Sequence, residues 1–249
     1  MEKITSRSNP VCIHVKKLGK SKRYRDEQGQ FLCDGIKLLE EAVDCSAEIG
    51  IVLTSIDLTC KMPSGVAVYH VHESLIDSLS PLKNAQGVLF TCRVIKTSDA
   101  DYCQGTHVML DCIQDPGNVG TIIRSAFAFG IDTVIQTGGS ADIYNPKTVR
   151  ATMGAIFKQR IVNKSISELH ELKKSGARFV GASNDADSVD IKNIDLRNTI
   201  IILGNEGQGI SKELTELCEE MVKISLSPGC ESLNVAAAAS IIMYLGRGD

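Results

Sequence analysis

The sequence predicts an α/β protein with two domains, and the alternation of its local patterns is the main reason. Strand-like and helix-like patterns follow one another from residue 12 to residue 92 and begin again at residue 107, after a polar stretch. A chain of 249 residues with 43% hydrophobic residues is long enough for two cores. We therefore expect a first domain at 1–96, a linker at 97–105 and a second domain at 106–249.

The second domain is expected to contain a mostly parallel sheet with helices on both faces. Its clearest strand, Thr199 to Leu203, is a run of apolar and β-branched residues that leads directly into a glycine-rich loop. Such uninterrupted runs are typical of parallel strands that are buried on both faces. Ligands bind outside the carboxyl ends of the strands in sheets of this kind. The binding site is therefore expected at that edge.

Shorter patterns predict the other elements in chain order. The expected strands are 30–33, 48–54, 66–71, 87–92, 107–113, 133–136, 160–163, 178–183 and 221–226. The expected helices are 12–18, 36–43, 72–79, 119–129, one that begins at Asn145–Pro146, 166–174, and one that contains 236–239. Residues 19–25 are a polar run without a predicted element, and 184–198 are expected to form a polar loop.

Capping residues and periodicity refine three of these helices. Asn118 is expected to cap the helix that follows it, and Ser232 is expected to cap the last helix. In the helix at 36–43, Ile36, Leu39 and Val43 fall on one face, which predicts that this face is buried.

Residues 1–25 form a basic segment, although the whole chain carries a net charge of −3. The segment holds eight lysines and arginines and one acidic residue, Glu2. Clusters of this kind contact nucleic-acid phosphates, and a solvated amino terminus is the alternative. The residues predicted to contact such phosphates are Arg7, Lys16, Lys20, Lys22, Arg23 and Arg25.

The composition argues against several other functions. With 4% aromatic residues and no Trp, the chain lacks the residues for an extended base-stacking surface. None of its nine cysteines forms a C-x-x-C pair, so no metal site is expected. The sequence shows no signal peptide and no run of membrane-spanning length. We therefore expect a cytoplasmic protein with reduced cysteines and no membrane contact.

The first segment with the character of a binding site is Asn118–Ala126. Arg124 lies there on an otherwise apolar helix, near Gly120. A charge in such surroundings is costly unless it is paired or faces a cleft. An arginine that simply reaches solvent is the alternative.

Two later segments share the expected edge of the sheet. The loop at 204–211 contains three glycines, which leave backbone amides open to a ligand. The segment at 232–236 begins a helix of small residues that another helix can approach closely. A plain loop and a buried core helix are the alternatives. Together the two segments would frame a pocket whose polar side chains are Glu206, Ser232 and Asn234.

Taken together, the three segments resemble the three signature motifs of the SpoU family of RNA 2′-O-ribose methyltransferases, which belongs to the SPOUT superfamily. Their order and spacing match, and the resemblance covers residues 107–247. One departure lies in the third motif, where Ile224-Ser225-Leu226 stands in place of the family's Ile-Pro-Met. The segment from Gly29 to Gly35 resembles the start of the family's amino-terminal substrate-binding domain, which has a ribosomal-protein-like fold.

The resemblance implies a deep trefoil knot in the second domain, an exception to the rule that chains do not thread loops. It also implies a homodimer whose active site lies near the interface. S-adenosyl-L-methionine would bind in a bent conformation between the two late loops. The residues implied to bind it are Leu203, Gly204, Gly209, Ile224, Leu226, Leu233 and Asn234.

The resemblance further implies a set of catalytic residues. The arginine matching Arg124 is assigned the role of base in the family, but arginine is always protonated in proteins. Arg124 is therefore expected to hold a phosphate and to stabilise the developing alkoxide. Asn118 and Asn234 would orient the reacting groups, Glu206 would fix the arginine, and Ser232 would support Asn118.

Ribosomal RNA is the favoured substrate, and DNA is not expected to bind. The alternatives are a tRNA 2′-O-methyltransferase and a knotted RNA-binding protein that has lost catalysis. A dinucleotide-dependent dehydrogenase is excluded, because the first strand of the second domain leads to Gln114-Asp115-Pro116-Gly117-Asn118 and not to G-x-G-x-x-G.

Overall fold

The structure, a computed structural model, describes residues 2–98, 100–185 and 187–247. Asp99 of the predicted linker and Ala186 of the predicted polar loop lie outside the described residues. The chain divides into two compact units. Unit 1 consists of Met1–Lys96 and Asp142–Lys158, and unit 2 consists of Thr97–Ala141 and Gln159–Asp249. Residues 142–158, which the sequence analysis assigned to the second domain, thus group with unit 1.

The elements alternate along the chain, as predicted. The strands are β1 (Glu2–Ile4), β2 (Gln30–Asp34), β3 (Ile49–Thr54), β4 (Ala67–Val71), β5 (Val88–Arg93), β6 (Thr106–Leu110), β7 (Thr133–Gln136), β8 (Ile161–Asn163), β9 (Arg178–Ala182), β10 (Val189–Asp190), β11 (Thr199–Leu203) and β12 (Glu220–Lys223). The helices are α1 (Pro10–Lys20), α2 (Lys22–Gln28), α3 (Ile36–Asp44), α4 (Glu73–Leu79), α5 (Pro116–Ala128), α6 (Pro146–Ala151), α7 (Ile166–Lys174), α8 (Lys212–Thr215) and α9 (Val235–Gly246).

Unit 1 contains a five-stranded mixed sheet with the strand order β1-β4-β3-β5-β2. The strands β1, β3 and β4 are parallel, and β5 runs antiparallel to both β3 and β2. Helix α1 buries Cys12, Val15 and Leu18, whose spacing of three residues places them on one face. These side chains pack with Leu32 and Leu89 from the sheet.

Two predictions for the helices of unit 1 need correction. The polar run at 19–25 contains most of α2, which Ser21 caps and which two surface pairs, Lys22–Asp26 and Arg23–Glu27, stabilise at i,i+4 spacing. Helix α3 buries Leu38, Leu39 and Ala42, whereas Ile36 and Val43 are only half-buried. The buried face is thus rotated from the predicted one.

Unit 2 contains a seven-stranded sheet in the order β10-β12-β9-β11-β6-β7-β8, and all its strand pairs are parallel. Every residue of β6 and β11 is buried, which explains the uninterrupted run of apolar and β-branched residues in β11. The predicted α/β class with a mostly parallel sheet is confirmed. The trefoil knot that the resemblance implies stays a prediction.

The order of the strands places two central strands, β6 and β11, side by side. The chain continues from β6 to β7 on one side, whereas β9 and β12 lie on the other side of β11. Binding crevices form at such reversals, at the carboxyl ends of the strands. Helices α5 and α9 pack on each other, and the hydroxyl groups of Ser125 and Ser240 lie 2.8 Å apart at their contact.

Two predicted boundaries in unit 2 differ from the structure. Strand β12 ends at Lys223, so Ile224 and Leu226 lie in the loop that follows it. The predicted polar loop at 184–198 contains the two-residue strand β10 at the edge of the sheet. None of the described helices has the length and apolar character that a membrane crossing requires.

Candidate active site

Three side chains from distant segments of unit 2 form one hydrogen-bonded chain. The Nδ2 of Asn118 donates to the Oε1 of Glu206 over 2.5 Å. The Nδ2 of Asn234 donates to the Oδ1 of Asn118 over 3.1 Å. Both polar atoms of the Asn118 amide are therefore engaged, which fixes the orientation of that amide. The structure thus brings together three of the five predicted catalytic residues.

The two asparagines are held by the first turns of α5 and α9. Asp115, rather than Asn118, caps α5, and its Oδ1 accepts from the Asn118 backbone N–H over 2.9 Å. This leaves the Asn118 side chain available for the site. Asn234, rather than Ser232, caps α9, because its Oδ1 accepts from the backbone N–H groups of Ala236 and Ala237. Both predicted caps are therefore corrected.

The glycine-rich loop after β11 owes its shape to Asn205, which the sequence analysis did not single out. The Asn205 Oδ1 accepts from the N–H groups of Gly207 and Gln208, and its Nδ2 donates to the Cys112 carbonyl over 3.0 Å. A Cβ at Gly204 would lie 2.3 Å from the backbone of Gly209. Only glycine fits at position 204, because the loop folds back directly over it.

A buried carboxylate anchors the far end of the same loop. Asp111 directly follows β6 and is almost fully buried. Its Oδ2 accepts from the Ser211 backbone N–H over 2.6 Å, and its Oδ1 accepts from the Thr137 hydroxyl over 3.4 Å. The turn at 111–112 therefore holds the glycine loop near both of its ends. An acid placed immediately after a buried strand was the available signal for this residue.

Cys112 lies in the same turn but is not suited to nucleophilic catalysis. Burial, followed by the neighbouring Asp111 carboxylate, raises the pKa of its thiol above the ordinary value. The reactive thiolate is therefore disfavoured. Among the described residues, no group of three or more His, Cys, Asp or Glu side chains is arranged to hold a metal ion.

A cleft of about 460 Å³ opens beside the hydrogen-bonded chain. Of the seven predicted cofactor-binding residues, five line it: Leu203, Gly204, Gly209, Ile224 and Leu233. Leu226 and Asn234 do not line it, although Asn234 bonds to the site through Asn118. The lining combines apolar side chains with exposed loop backbone, which suits a flat heteroaromatic ligand with polar edges.

The cleft also contains a segment that the sequence analysis missed. The cleft is lined there by Ala182, the last residue of β9, and by residues 183–185, which follow that strand. The sequence pattern did not mark them as site residues, because 178–183 was predicted as a strand and 184–198 as a polar loop. Ser232 lines the cleft as predicted, but its hydroxyl makes no hydrogen bond with a described residue, so the expected support for Asn118 is not seen.

Arg124 lies exposed on α5, and it makes no hydrogen bond or ion pair with any residue that the structure describes. Glu206, which was expected to hold this guanidinium, bonds to Asn118 instead. Arg124 is therefore available to an anionic ligand, such as a phosphate group.

The six predicted RNA-contacting residues of unit 1 fall into three groups. Arg7, Lys16 and Lys20 are exposed and form no ion pair with a described residue. Lys22 and Arg23 are exposed but are paired with Asp26 and Glu27. Arg25 forms the third group, because its environment differs from that of the other five residues.

Arg25 is only 4% exposed. Its guanidinium forms an ion pair with Asp142 over 2.5 Å and donates to the Leu18 carbonyl over 2.7 Å. A buried, fully engaged arginine cannot contact RNA phosphates. The prediction for Arg25 is therefore wrong, and the residue instead joins α2 to the segment at 142–158.

Comparison with known protein families agrees with this geometry. Residues 105–244 match the sequence model of the SpoU rRNA Methylase family, and residues 9–89 match that of the MRM3-like substrate binding domain. The chain is 31% identical to the 23S rRNA (guanosine(2553)-2′-O)-methyltransferase RlmP of Bacillus subtilis, over the full length of both proteins. It is 26% identical to the human mitochondrial rRNA methyltransferase 3, over 92% of this chain and 70% of that protein.

Solved structures show the same similarity. An AdoMet-bound rRNA methyltransferase from Sinorhizobium meliloti superposes with a TM-score of 0.85 at 28% identity, covering 98% of this chain and 97% of that one. The SpoU methyltransferase AviRb from Streptomyces viridochromogenes, in complex with AdoMet, gives a TM-score of 0.80 at 26% identity, covering 96% and 97% of the two chains.

Proposed function

The chain belongs to the SpoU rRNA methylase family, and from this membership we propose that it methylates a ribose 2′-hydroxyl of ribosomal RNA with S-adenosylmethionine. The observation that carries the proposal is the chain of hydrogen bonds that joins Asn118, Glu206 and Asn234 beside the cleft. A tRNA substrate is the second candidate within the same chemistry. The relatives named above act on ribosomal RNA, which favours the first.

The residues of the cleft fit S-adenosylmethionine. Leu203, Ile224 and Leu233 offer apolar walls for the adenine ring, and the folded loop at 204–209 offers backbone groups for its polar edge. The ionisable side chains in the lining are acidic, which suits a sulfonium cation. This ligand supplies an activated methyl group, so the protein's task is to place the acceptor hydroxyl and to manage its charge.

The chain's own residues divide that task. Arg124 holds the RNA phosphate beside the reacting ribose and stabilises the negative charge that develops on the 2′-oxygen. Its guanidinium stays protonated throughout, so the hydroxyl proton is released to water as the oxygen–carbon bond forms. Asn118, with its amide fixed by Glu206 and Asn234, orients the ribose.

Unit 1 binds the RNA in this proposal. The match of residues 9–89 to a substrate-binding domain supports this role. So do the exposed cations Arg7, Lys16 and Lys20, which form no ion pair with the residues that the structure describes. DNA is not a substrate, because it has no 2′-hydroxyl to accept the methyl group. The division into a domain at 1–96 and a methyltransferase domain at 106–249 follows the same assignment, with 142–158 grouping with unit 1.

A homodimer completes the proposal. Apolar side chains are exposed on α5 and α9, which pack on each other. Those with large exposed areas are Phe127, Ile241, Tyr244 and Leu245. Exposed apolar side chains on neighbouring helices are typical of an interface, and two-fold symmetry is the commonest way to cover them. Light scattering of the purified chain is expected to give twice the chain mass, and a monomer at micromolar concentration would contradict this assembly.

A cytoplasmic location accompanies the proposed RNA substrate. The relatives of the chain that are named as bacterial ribosomal RNA methyltransferases support this location. Fractionation of cells that express the chain, with ribosomes as a marker, would check the location.

The central experiment combines the chain with methyl-labelled S-adenosylmethionine and ribosomal RNA, followed by mass spectrometry of the nucleosides. A 2′-O-methylated nucleoside is expected. Arg124→Ala should lower the methylation rate by about 100- to 1000-fold, the usual cost of losing a group that stabilises transition-state charge. The affinity for S-adenosylmethionine should change less than about twofold, because Arg124 does not line the cleft.

Arg197→Ala is the matched control, since Arg197 is an exposed arginine of unit 2 that pairs with Asp195. It should leave the rate unchanged. A chain that binds S-adenosylmethionine and RNA but methylates neither ribosomal RNA nor tRNA would instead support the catalytically silent alternative.

A further inference from the structure

The cleft carries an uneven set of charges. Among its lining residues, the ionisable side chains are Asp185 and Glu206, and no Lys, Arg or His lines it. Glu206 is engaged by Asn118 and belongs to the proposed catalytic group. Asp185 has no role in that group, yet it gives the cleft a second negative charge.

Asp185 is held in place by its own loop. Its Oδ2 accepts from the Ser183 hydroxyl over 2.6 Å, and its backbone N–H donates to the same hydroxyl over 3.2 Å. The local turn thus fixes the carboxylate at the cleft. Lys223 lies close by, since its Nζ is 3.5 Å from the Asp185 carbonyl oxygen. This cation does not line the cleft, but it offsets part of the charge of Asp185 and limits the expected effect.

The donor and the product of the proposed reaction differ by one charge. S-adenosylmethionine carries a positive sulfonium in addition to its amino and carboxylate groups, whereas S-adenosylhomocysteine has a neutral thioether there. The rest of the two molecules is the same. Both carboxylates are exposed, so solvent and salt screen them in part. A negatively charged cleft still attracts the cationic donor more strongly than the neutral product.

Building on the proposed function, we propose that Asp185 is a specificity-determining residue that makes the cleft prefer the cationic methyl donor over its neutral product. The attraction from Asp185 acts on the sulfonium and ends when the methyl group leaves. The product is thereby released more readily, and its inhibition of the next turnover is reduced.

Calorimetric titration tests this with S-adenosylmethionine, S-adenosylhomocysteine and sinefungin, in which an amine carries a positive charge near the position of the sulfonium. Asp185→Asn should weaken the two cationic ligands by about three- to tenfold, as for a partly screened charge pair. The affinity for S-adenosylhomocysteine should change less than about twofold. Added salt should narrow the difference between donor and product in the wild-type chain.

Asp187→Asn is the matched control. Asp187 is an exposed acid two residues further along the same loop, and it does not line the cleft. Its removal should leave the ratio of the donor and product affinities unchanged, which excludes a general effect of the loop.

The outcomes separate this inference from the proposed function. If Asp185→Asn weakened the binding of all three ligands equally, the inference alone would be overturned. Asp185 would then act on a portion of the ligand that all three molecules share. The inference would also be overturned if Asp185→Asn left the ratio of the donor and product affinities unchanged. Failure of the wild-type chain to bind any of the three would overturn the proposed function itself.

Discussion

The cleft of unit 2 and the basic segment of unit 1 use polar residues in opposite ways. Acidic side chains line the cleft, and no cation among the described residues does so. Its key amides are fixed by hydrogen bonds that join distant segments. The basic segment places exposed cations on short helices, and few of them are fixed by tertiary contacts. Binding of a small cationic donor thus depends on the positions of individual groups in the cleft, whereas attraction of RNA depends on the summed charge of the basic segment. Variants should therefore affect one region without the other.

The largest expected effect is a loss of stability on replacing Arg25, which belongs to the basic segment by sequence but differs from its exposed cations in environment. Arg25→Ala removes the cation from the Asp142 carboxylate, whose side chain is only 14% exposed. Breaking a pair that is largely shielded from water typically costs about 3 kcal/mol. Urea unfolding followed by circular dichroism should show this loss. Lys20→Ala, at an exposed position of α1, should change stability by less than about 0.5 kcal/mol. Normal stability of Arg25→Ala with weakened RNA binding would instead return Arg25 to the RNA-contacting surface.

A second test sharpens the comparison within the exposed cations. Replacing both Lys16 and Lys20 with Gln should weaken RNA binding by about tenfold and lower the slope of log affinity against log salt by about 1.5. Replacing Lys22 and Arg23 with Gln should have a smaller effect, because Asp26 and Glu27 already offset their charges. Filter binding at several salt concentrations measures both. Equal effects of the two double variants would show that the surface pairs open when RNA binds.

The affinity for S-adenosylmethionine is the internal control for these variants. It should stay within about twofold of the wild-type value in both double variants, since none of the four residues lines the cleft. A parallel loss of donor affinity would break the comparison between the two regions.

The last test concerns acid stability. His107 lies fully buried in β6, with its Nε2 2.9 Å from the Gln104 carbonyl oxygen, and burial lowers its pKa below the ordinary value. The folded chain therefore binds fewer protons at this site than the unfolded chain once the pH falls through about 6.5. Stability should fall from pH 7 to pH 5, by at most about 1.4 kcal/mol per pH unit for this single proton.

Urea unfolding at pH 7, 6 and 5 measures that slope. His107→Gln keeps a polar side chain at the position but cannot titrate, so its slope should be shallower than that of the wild-type chain. Identical slopes for the two proteins would assign the acid sensitivity to other groups.

The central part of the fold could be predicted from the sequence because its strands are buried on both faces. β11 was predicted at its observed bounds for this reason. The elements that were missed, β1, β10 and α2, are short or polar. The two strands lie at sheet edges, where pairing with a neighbour rather than side-chain burial decides the structure.

The site was predictable to the extent that its side chains lie in the three segments that carry the family resemblance and are implied by it to act in catalysis. Asn118, Glu206 and Asn234 meet this condition, and the structure joins them by hydrogen bonds. Asp111 and Asn205 were missed, because their roles depend on partners 100 and 93 residues away in the sequence. Arg25 was assigned wrongly for the same reason, since Asp142 lies 117 residues further along the chain.

Because residues 142–158 group with unit 1, cutting the chain once does not separate the two units. The chain passes from one unit to the other after residues 96, 141 and 158, so neither unit is a continuous stretch of sequence. A fragment that starts near residue 106 would retain Ile143, Val149 and Ile156, which are buried in the intact chain, and would strip them of the neighbours in residues 1–96. Such a fragment would expose these apolar side chains to solvent and would be prone to aggregate. To express unit 2 alone, the seventeen residues 142–158 would have to be replaced by a short polar linker.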